Sequence, residues 1–397
     1  MPAPERHSRN RELPLRPRRS LRKYHLPVAA LAIVLAFTLV HGSRVRDNLA
    51  VAHWEDMDFI RHNASNVHSL SDCFTERPLW PGLYRPLTTN LYYYAGRVLF
   101  GNRIEVHHGI NIALYLMNAF LLYLICLRLL PGWWALVPPV LFASRFAHVE
   151  VVLNTCEVQT LLSVFFTLLA LRLFMSARTG ARSCYYVLSL IAFALALLSK
   201  ETAIVFPATL LAYGMLYDEK RAWRRYIAAG SMAIVWAVLY ITVFRAVTDR
   251  EPTGFTYRSG AGHLLTNYAA YLLTFVNLLT HRLGNLAMVQ HVSRAAGTAA
   301  ARILFAACVI GCAAYYIFRA GAGRRHRARY DALAFGFAFF LFGLSPYVIL
   351  DSRLFMRYGY AGHAGVAISA GALLYYVVTA IGKRSRKEAE HAGTRES

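Results

Sequence analysis

LPVAALAIVLAFTLV, residues 26–40, is an uncharged apolar run with Arg22 and Lys23 packed in front of it. An acidic cluster, Trp54-Glu55-Asp56-Met57-Asp58, follows soon after. A basic flank before such a run keeps that end cytoplasmic. The cluster is thereby carried to the opposite membrane surface. Carboxylates at a membrane boundary cost desolvation and are usually kept for chemistry.

The same kind of run recurs along the chain. Of the 397 residues, 57% are hydrophobic and only 16% charged, where a soluble protein carries about 25% charged residues. The runs are long enough to cross a hydrocarbon core of about 30 Å, and they lack the alternation of a membrane β-barrel. The expected fold class is therefore all-α: a polytopic membrane protein of about ten transmembrane helices, with a long first outer loop carrying interfacial helices. The spans read as 26–42, 108–129, 134–147, 157–175, 185–199, 202–217, 226–247, 301–319, 331–350 and 361–382. Segment 263–289 is amphipathic. Reading it as an outer-surface or re-entrant helix keeps the basic run Arg324-Arg325-His326-Arg327 inside.

This topology divides the chain into a basic cytoplasmic tail, 1–25, a transmembrane domain, 26–382, and a basic cytoplasmic tail, 383–397. Within the domain, 43–107 is the first outer loop, and 248–300 is an outer-face loop with an amphipathic helix. The first span reads as a retained anchor, since it is too long for a signal-peptide core and His41-Gly42-Ser43 lacks a small-x-small cleavage pattern. The net charge of +22 then belongs to topology rather than to nucleic-acid binding. Its clusters, such as Arg178/Arg182, Lys220-Arg221 and Lys383-Arg384, lie between apolar runs or at a terminus. The six cysteines show no metal spacing, although Cys73 and Cys156 both fall on the outer side, where a disulfide is possible.

Five features meet on that outer side. They are Glu55-Asp56-Met57-Asp58, the Tyr84-Arg85-Pro86-Leu87 stretch, the turn with His148 and Glu150 followed by Glu157, Ser199-Lys200-Glu201, and Arg353 through Arg357-Tyr358-Gly359-Tyr360. Acids beside Arg and Lys suit a reaction between a hydroxyl and a phosphate-bearing lipid. A carboxylate takes the proton from the attacking hydroxyl, and the cations hold the phosphate as charge builds on it. No nucleotide loop is present. Each residue also has a plainer reading. Asp56 can cap a helix, Lys200-Glu201 can be a structural ion pair, and His148 can be a hydrogen-bonded packing residue. The aromatic stretch from Leu91 to Phe100 suits a helix lying at the interface.

In order, these motifs resemble the GT-C glycosyltransferases, and most closely the branch of TMTC-type O-mannosyltransferases and their bacterial relatives. The family's acidic pair after the first span is matched by Glu55-Asp56, its Tyr-Arg-Pro-Leu by Tyr84 to Leu87, and its His-x-x-Asn by His108 and Asn111. The family turn with His-x-Glu is matched by His148-Val149-Glu150, its Ser-Lys-Glu by Ser199-Lys200-Glu201, and its late Arg-Tyr-x-Tyr by Arg357 to Tyr360. The resemblance runs from about residue 45 to about 365. Arg145-Phe146 replaces the family's His-Pro and Met356 replaces its Glu, and the expectation is a membrane domain without the tetratricopeptide repeats of the TMTC-type enzymes.

The resemblance implies an inverting transfer of a sugar from a polyprenyl-phosphate donor to a hydroxyl of an envelope glycan, lipid or protein. Asp56, Glu55 and Glu150 take the catalytic roles, with Asp56 as general base. Arg357, Lys200 and Arg85 bind the donor phosphate, while Asp58, Tyr84, His148, Glu201 and Tyr358 line the substrate. No cofactor is certain; a divalent metal near the acids is possible. The expected setting is a bacterial inner membrane, with the site facing the periplasm and both termini cytoplasmic. Two other classes stand beside this one: a transporter or flippase of lipid-linked saccharides, and a catalytically inactive partner subunit. The absence of a clear internal repeat weighs against a transporter.

Overall fold

The computed structural model describes residues 22–52, 54–76, 79, 83–179, 183–217, 224–244, 258–276, 295–321, 330–350 and 355–393. The tail before Arg22, the clusters Lys220-Arg221 and Arg324 to Arg329, Arg353 and residues 277–294 lie outside the described residues. Among the described residues the chain is helical, with no β-strand.

Six helical stretches are long and apolar enough to cross a membrane: His25–Asn48, Ile104–Leu129, Thr155–Ala177, Arg225–Thr242, Ala299–Arg319 and Met356–Gly382. Three shorter apolar helices, Cys184–Ser199, Glu201–Tyr217 and Asp331–Leu344, occupy the positions of three further expected spans. This is an integral membrane protein of the all-α class.

The first helix, α1 (Arg22–Asn48), shows how sequence sets orientation. Ala29, Ile33, Phe37 and His41 recur every fourth residue and are buried, while Leu31, Leu35 and Leu39 on other faces are exposed. A helix puts i and i+4 side chains on one face. In a bilayer, the exposed apolar face meets lipid.

The expected span 134–147 is instead a broken one. Gly132–Ala143 and Phe146–Leu153 are bent by 56° at the break. The sequence places Pro138 and Pro139 in the first half, and Arg145 adopts an extended conformation just before the second. Broken backbone inside a membrane protein must find internal partners. Arg145 supplies them at the break: its Nε donates to the Leu141 carbonyl at 2.8 Å and its Nη1 to the Phe275 carbonyl at 3.1 Å. Beyond the break, His148 and Glu150 stand two residues apart and meet different partners, His363 and the Arg357 amide.

After α1 the chain forms α2 (Trp54–Asn66), α3 (Asp72–Thr75) and α4 (Tyr92–Phe100). Segment 263–289 is described only as the helix Ala261–Val276, which is not among the apolar spans. It is tied to the turn after Asp331–Leu344: Asn267 Nδ2 donates to the carbonyls of Val348 at 2.8 Å and Leu350 at 3.1 Å.

Asp331–Leu344 and the last helix, Tyr360–Gly393, pack backbone to backbone. A Cβ on Gly365 would stand 2.4 Å from the Phe340 nitrogen and 2.5 Å from the Gly336 carbonyl oxygen. Small residues allow such approach where lipid offers no hydrophobic drive. The contact fixes the start of the last helix, and with it Arg357.

Away from these acids, Arg319 and Asp331 form a buried ion pair at 3.0 Å, and the Tyr315 hydroxyl donates to Asp331 at 2.8 Å. This pair was not anticipated from the sequence.

Candidate active site

Glu55 and Asp56 occupy the first turn of α2, where the helix dipole favours carboxylates. Neighbouring residues on a helix point about 100° apart, and the two acids accordingly part company. Asp56 is fully buried, and its Oδ1 accepts the Cys156 amide N–H at 2.8 Å. Glu55 turns toward Arg357: Oε2 lies 2.8 Å from Nη1 and Oε1 lies 3.4 Å from Nη2.

Arg357 stands in a short 3-10 turn, Met356–Gly359, at the head of the last span. Besides Glu55, its Nη1 is 3.3 Å from Glu157 Oε1, and its backbone N–H donates to Glu150 Oε2 at 3.3 Å. Two carboxylates from distant segments, Glu55 and Glu157, thus meet on one guanidinium, and a third, Glu150, holds the backbone of the same residue. Its Nε–H is buried and has no acceptor among the described residues.

Glu157 continues the network. Its Oε2 accepts the Thr160 hydroxyl, and Thr160 Oγ1 in turn accepts from Lys200 Nζ at 2.8 Å. Lys200 is buried, with Nζ 5.6 Å from the Tyr347 ring centroid and 5.8 Å from that of Tyr358. Those two rings stack, with centroids 4.4 Å apart and 10° between planes. Such ring faces attract a cation. Burial pushes the Lys200 ammonium below its ordinary pKa, and the nearby Glu157 charge acts against that.

Arg85 makes a second, separate knot. Its Nε donates to Glu201 Oε2 at 2.7 Å, its Nη2 pairs with Glu201 Oε1, and its Nη1 donates to Gln159. Burial alone lowers the Arg85 pKa, but the Glu201 carboxylate more than offsets this, so the group lies above its ordinary value. Thr88 adds a hydrogen bond to the Ser199 carbonyl at 2.8 Å.

The expected site residues therefore divide. Glu55, Glu150, Arg357, Lys200 and Tyr358 come together. Asp56 sits beneath them as a backbone anchor rather than facing the cations. Glu201, considered above as the ion-pair partner of Lys200, binds Arg85 instead, and Arg85 is thereby committed. Asp58, half-buried on α2, makes no ion pair with the described cations. The Tyr84 hydroxyl donates to the Phe74 carbonyl at 3.0 Å in the loop.

His148 faces away from the acids. It is fully buried, with Nδ1 2.9 Å from Tyr115 Oη and Nε2 3.0 Å from His363 Nδ1. Cys73 and Cys156 are both free, and the Cys156 thiol donates to Glu55 Oε2 at 3.4 Å. Their suggested disulfide is not formed.

Glu157, Thr160, Gln159 and Tyr347 complete the site without having been assigned a role beforehand. Glu157 and Thr160 are three residues apart on one helical face, a spacing that lets their side chains meet. No group of three or more His, Cys, Asp or Glu among the described residues stands where it could hold a metal ion. The acids converge on Arg357.

The fold and this charged, buried constellation define an integral membrane protein with a buried ionic cluster. Residues 85–246 match the dolichyl-phosphate-mannose-protein mannosyltransferase family. That match supports a membrane glycosyltransferase of the GT-C type, and it covers Arg85, Glu150, Glu157, Lys200 and Glu201. No curated protein and no solved structure matches the chain.

Proposed function

We propose that the protein is an inverting glycosyltransferase that moves a sugar from a polyprenyl-phosphate donor to a hydroxyl acceptor. The acceptor is an envelope glycan, lipid or protein, and the reaction takes place on the periplasmic face of a bacterial inner membrane. The observation that carries the reading is the meeting of Glu55 and Arg357, a base and a phosphate-binding cation held side by side.

The acceptor oxygen bonds to the anomeric carbon from the face opposite the phosphate. The carbon–oxygen bond to phosphate breaks, and its electron pair leaves with polyprenyl phosphate. Glu55 takes the acceptor proton. The base role thus passes from Asp56 to Glu55, because a fully buried carboxylate spent on the Cys156 amide cannot reach a hydroxyl. Arg357 holds the phosphate through its unspent Nε–H and through the Nη groups that Glu55 releases, and Lys200 adds a second positive charge. Glu150 orients Arg357 through its backbone N–H. Tyr358, stacked on Tyr347, offers an aromatic wall to the sugar.

Membranes carrying Glu55→Gln, supplied with polyprenyl-phosphate sugars, test this. A proton acceptor is worth about 10²–10⁴ in rate, so a loss of that size is expected. Full transfer by a folded Glu55→Gln protein would overturn the assignment. Failure of the wild-type protein to transfer from any such donor would overturn the reaction.

A further inference from the structure

One carboxylate joins the two cations that the proposed reaction uses. Glu157 Oε1 is 3.3 Å from Arg357 Nη1, while Oε2 accepts the Thr160 hydroxyl that holds Lys200 Nζ. Glu157, Thr160 and Lys200 are 6%, 4% and 5% exposed. At that burial little water is left to screen the two positive charges, so a fixed anion must balance them. Glu157 is itself fixed from behind, because Asp56 holds the amide of the preceding residue, Cys156, at 2.8 Å.

The arrangement poses an electrostatic problem. An anionic phosphate has to enter a place where Glu55, Glu150 and Glu157 already surround Arg357. Glu55 has an exit, since it takes a proton during transfer. Glu157 has none, as both of its oxygens are engaged and no acceptor proton reaches it.

We propose that Glu157 is the resident counter-anion of the Arg357–Lys200 pair, positioning both cations for the donor phosphate and hastening departure of the product phosphate. This rests on the glycosyl-transfer reading above. The donor is a phosphodiester with one negative charge. The product, after the anomeric carbon–oxygen bond breaks and the acceptor proton passes to Glu55, is a phosphomonoester carrying about −1.5 to −2 near neutral pH. A fixed carboxylate repels the more highly charged product more than the donor. Glu157 therefore lowers affinity for the product in order to clear the site, and it re-neutralises the two cations afterwards.

The test uses the full-length protein purified in detergent, with undecaprenyl phosphate as the product probe and undecaprenol as the control for the lipid chain. Glu157→Gln keeps the size of the side chain and removes its charge. Its affinity for undecaprenyl phosphate should rise on the order of tenfold, or about 1.4 kcal/mol. Steady-state turnover should fall while the single-turnover rate changes less. Glu157→Asp, which restores the charge, should move both values back toward wild type. Thr160→Val, which removes the hydroxyl bridging Glu157 and Lys200 while leaving both charges in place, should shift affinity in the same direction by less, and it carries the test if Glu157→Gln does not fold.

Unchanged or weaker binding by the folded variants, with single-turnover and steady-state rates falling together, would mark Glu157 as structural and overturn the proposal. If the wild-type protein binds undecaprenyl phosphate no better than undecaprenol, the donor reading fails and this proposal fails with it. Wild-type binding that the variants leave unaltered sinks this proposal alone.

Discussion

Glu55 Oε2 lies 2.8 Å from Arg357 Nη1 across 302 residues of chain. The pair joins the first turn after the opening span to the head of the last span, closing the site from both ends of the sequence. Its side chains are 19% and 14% exposed, respectively. It is therefore partly desolvated but reachable, as the proposed roles of base and phosphate ligand require.

Glu55 and Asp56, adjacent in sequence, should fail in different ways when changed. Glu55→Gln should abolish most turnover while leaving the melting temperature close to wild type. Asp56→Ala strands the Cys156 amide, and a buried donor left without its acceptor costs about 1–3 kcal/mol. That variant should melt lower and lose activity in proportion to its unfolded fraction. Thermal unfolding in detergent, paired with transfer assays, checks both. Equal melting temperatures with Asp56→Ala alone inactive would return the base role to Asp56.

If the proposed reaction holds, the Lys200 ammonium should set the alkaline limb of donor binding. Burial holds its pKa below the ordinary 10.5, so the cation is lost at a pH where an exposed lysine is still charged. As pH rises through that lowered value, donor affinity should fall. Between the folded and unfolded values the unfolded chain binds the extra proton, so folding stability rises with pH over the same window. Binding and stability therefore move in opposite directions. Lys200→Arg, charged throughout, should carry the binding limb to higher pH. A limb that stays in place assigns it to another group.

Much of the fold was legible because it rests on composition. Apolar runs with basic flanks gave the helices of the bundle, and the positions of the three shorter ones as well. The site was legible as a set of motifs and illegible as a set of pairs. Glu55 and Asp56 are equivalent in sequence, and only the direction of α2 decides which meets Arg357. Lys200 and Glu201 are likewise adjacent, yet they point to different partners, Thr160 and Arg85. The break near Arg145 could not be placed from hydropathy, since both halves are apolar and Arg145 finds its partner, the Phe275 carbonyl, on another helix. Glu157 read only as a neighbour of Glu150 because its contacts, Arg357 directly and Lys200 through Thr160, are remote in sequence.

The close helix contact at Gly365 should be intolerant of even a methyl group. A Cβ there meets backbone atoms at 2.4 and 2.5 Å, which cannot rotate away. Gly365→Ala should lower stability by about 1–3 kcal/mol, the cost of overpacking. Gly311→Ala, where nothing stands within 4 Å, should stay within about 0.5 kcal/mol of wild type. Thermal unfolding of the two variants side by side gives the comparison. Similar values would mean that the two helices do not approach this closely.

His148 and His363 should behave as one unit, and their hydrogen bonds say why. His363 Nε2 is 3.0 Å from the Tyr271 carbonyl, which can only accept, so this nitrogen carries the proton. In the neutral ring Nδ1 is then an acceptor, and it receives the Nε2–H of His148 at 3.0 Å. His148 Nδ1 must accept in turn, and Tyr115 Oη donates to it at 2.9 Å. Each tautomer is fixed by the next, and both rings are fully buried. Removing either ring leaves its partner's nitrogen unpaired, whereas removing both leaves no orphan between them. The single changes His148→Phe and His363→Phe should each destabilise, and the double variant should lose less than their sum. The coupling should lie in the range of about 0.5–3 kcal/mol seen for residues in one hydrogen-bond network. A double-mutant cycle on thermal unfolding measures it. Strict additivity would mean that the two rings are neighbours without a shared proton.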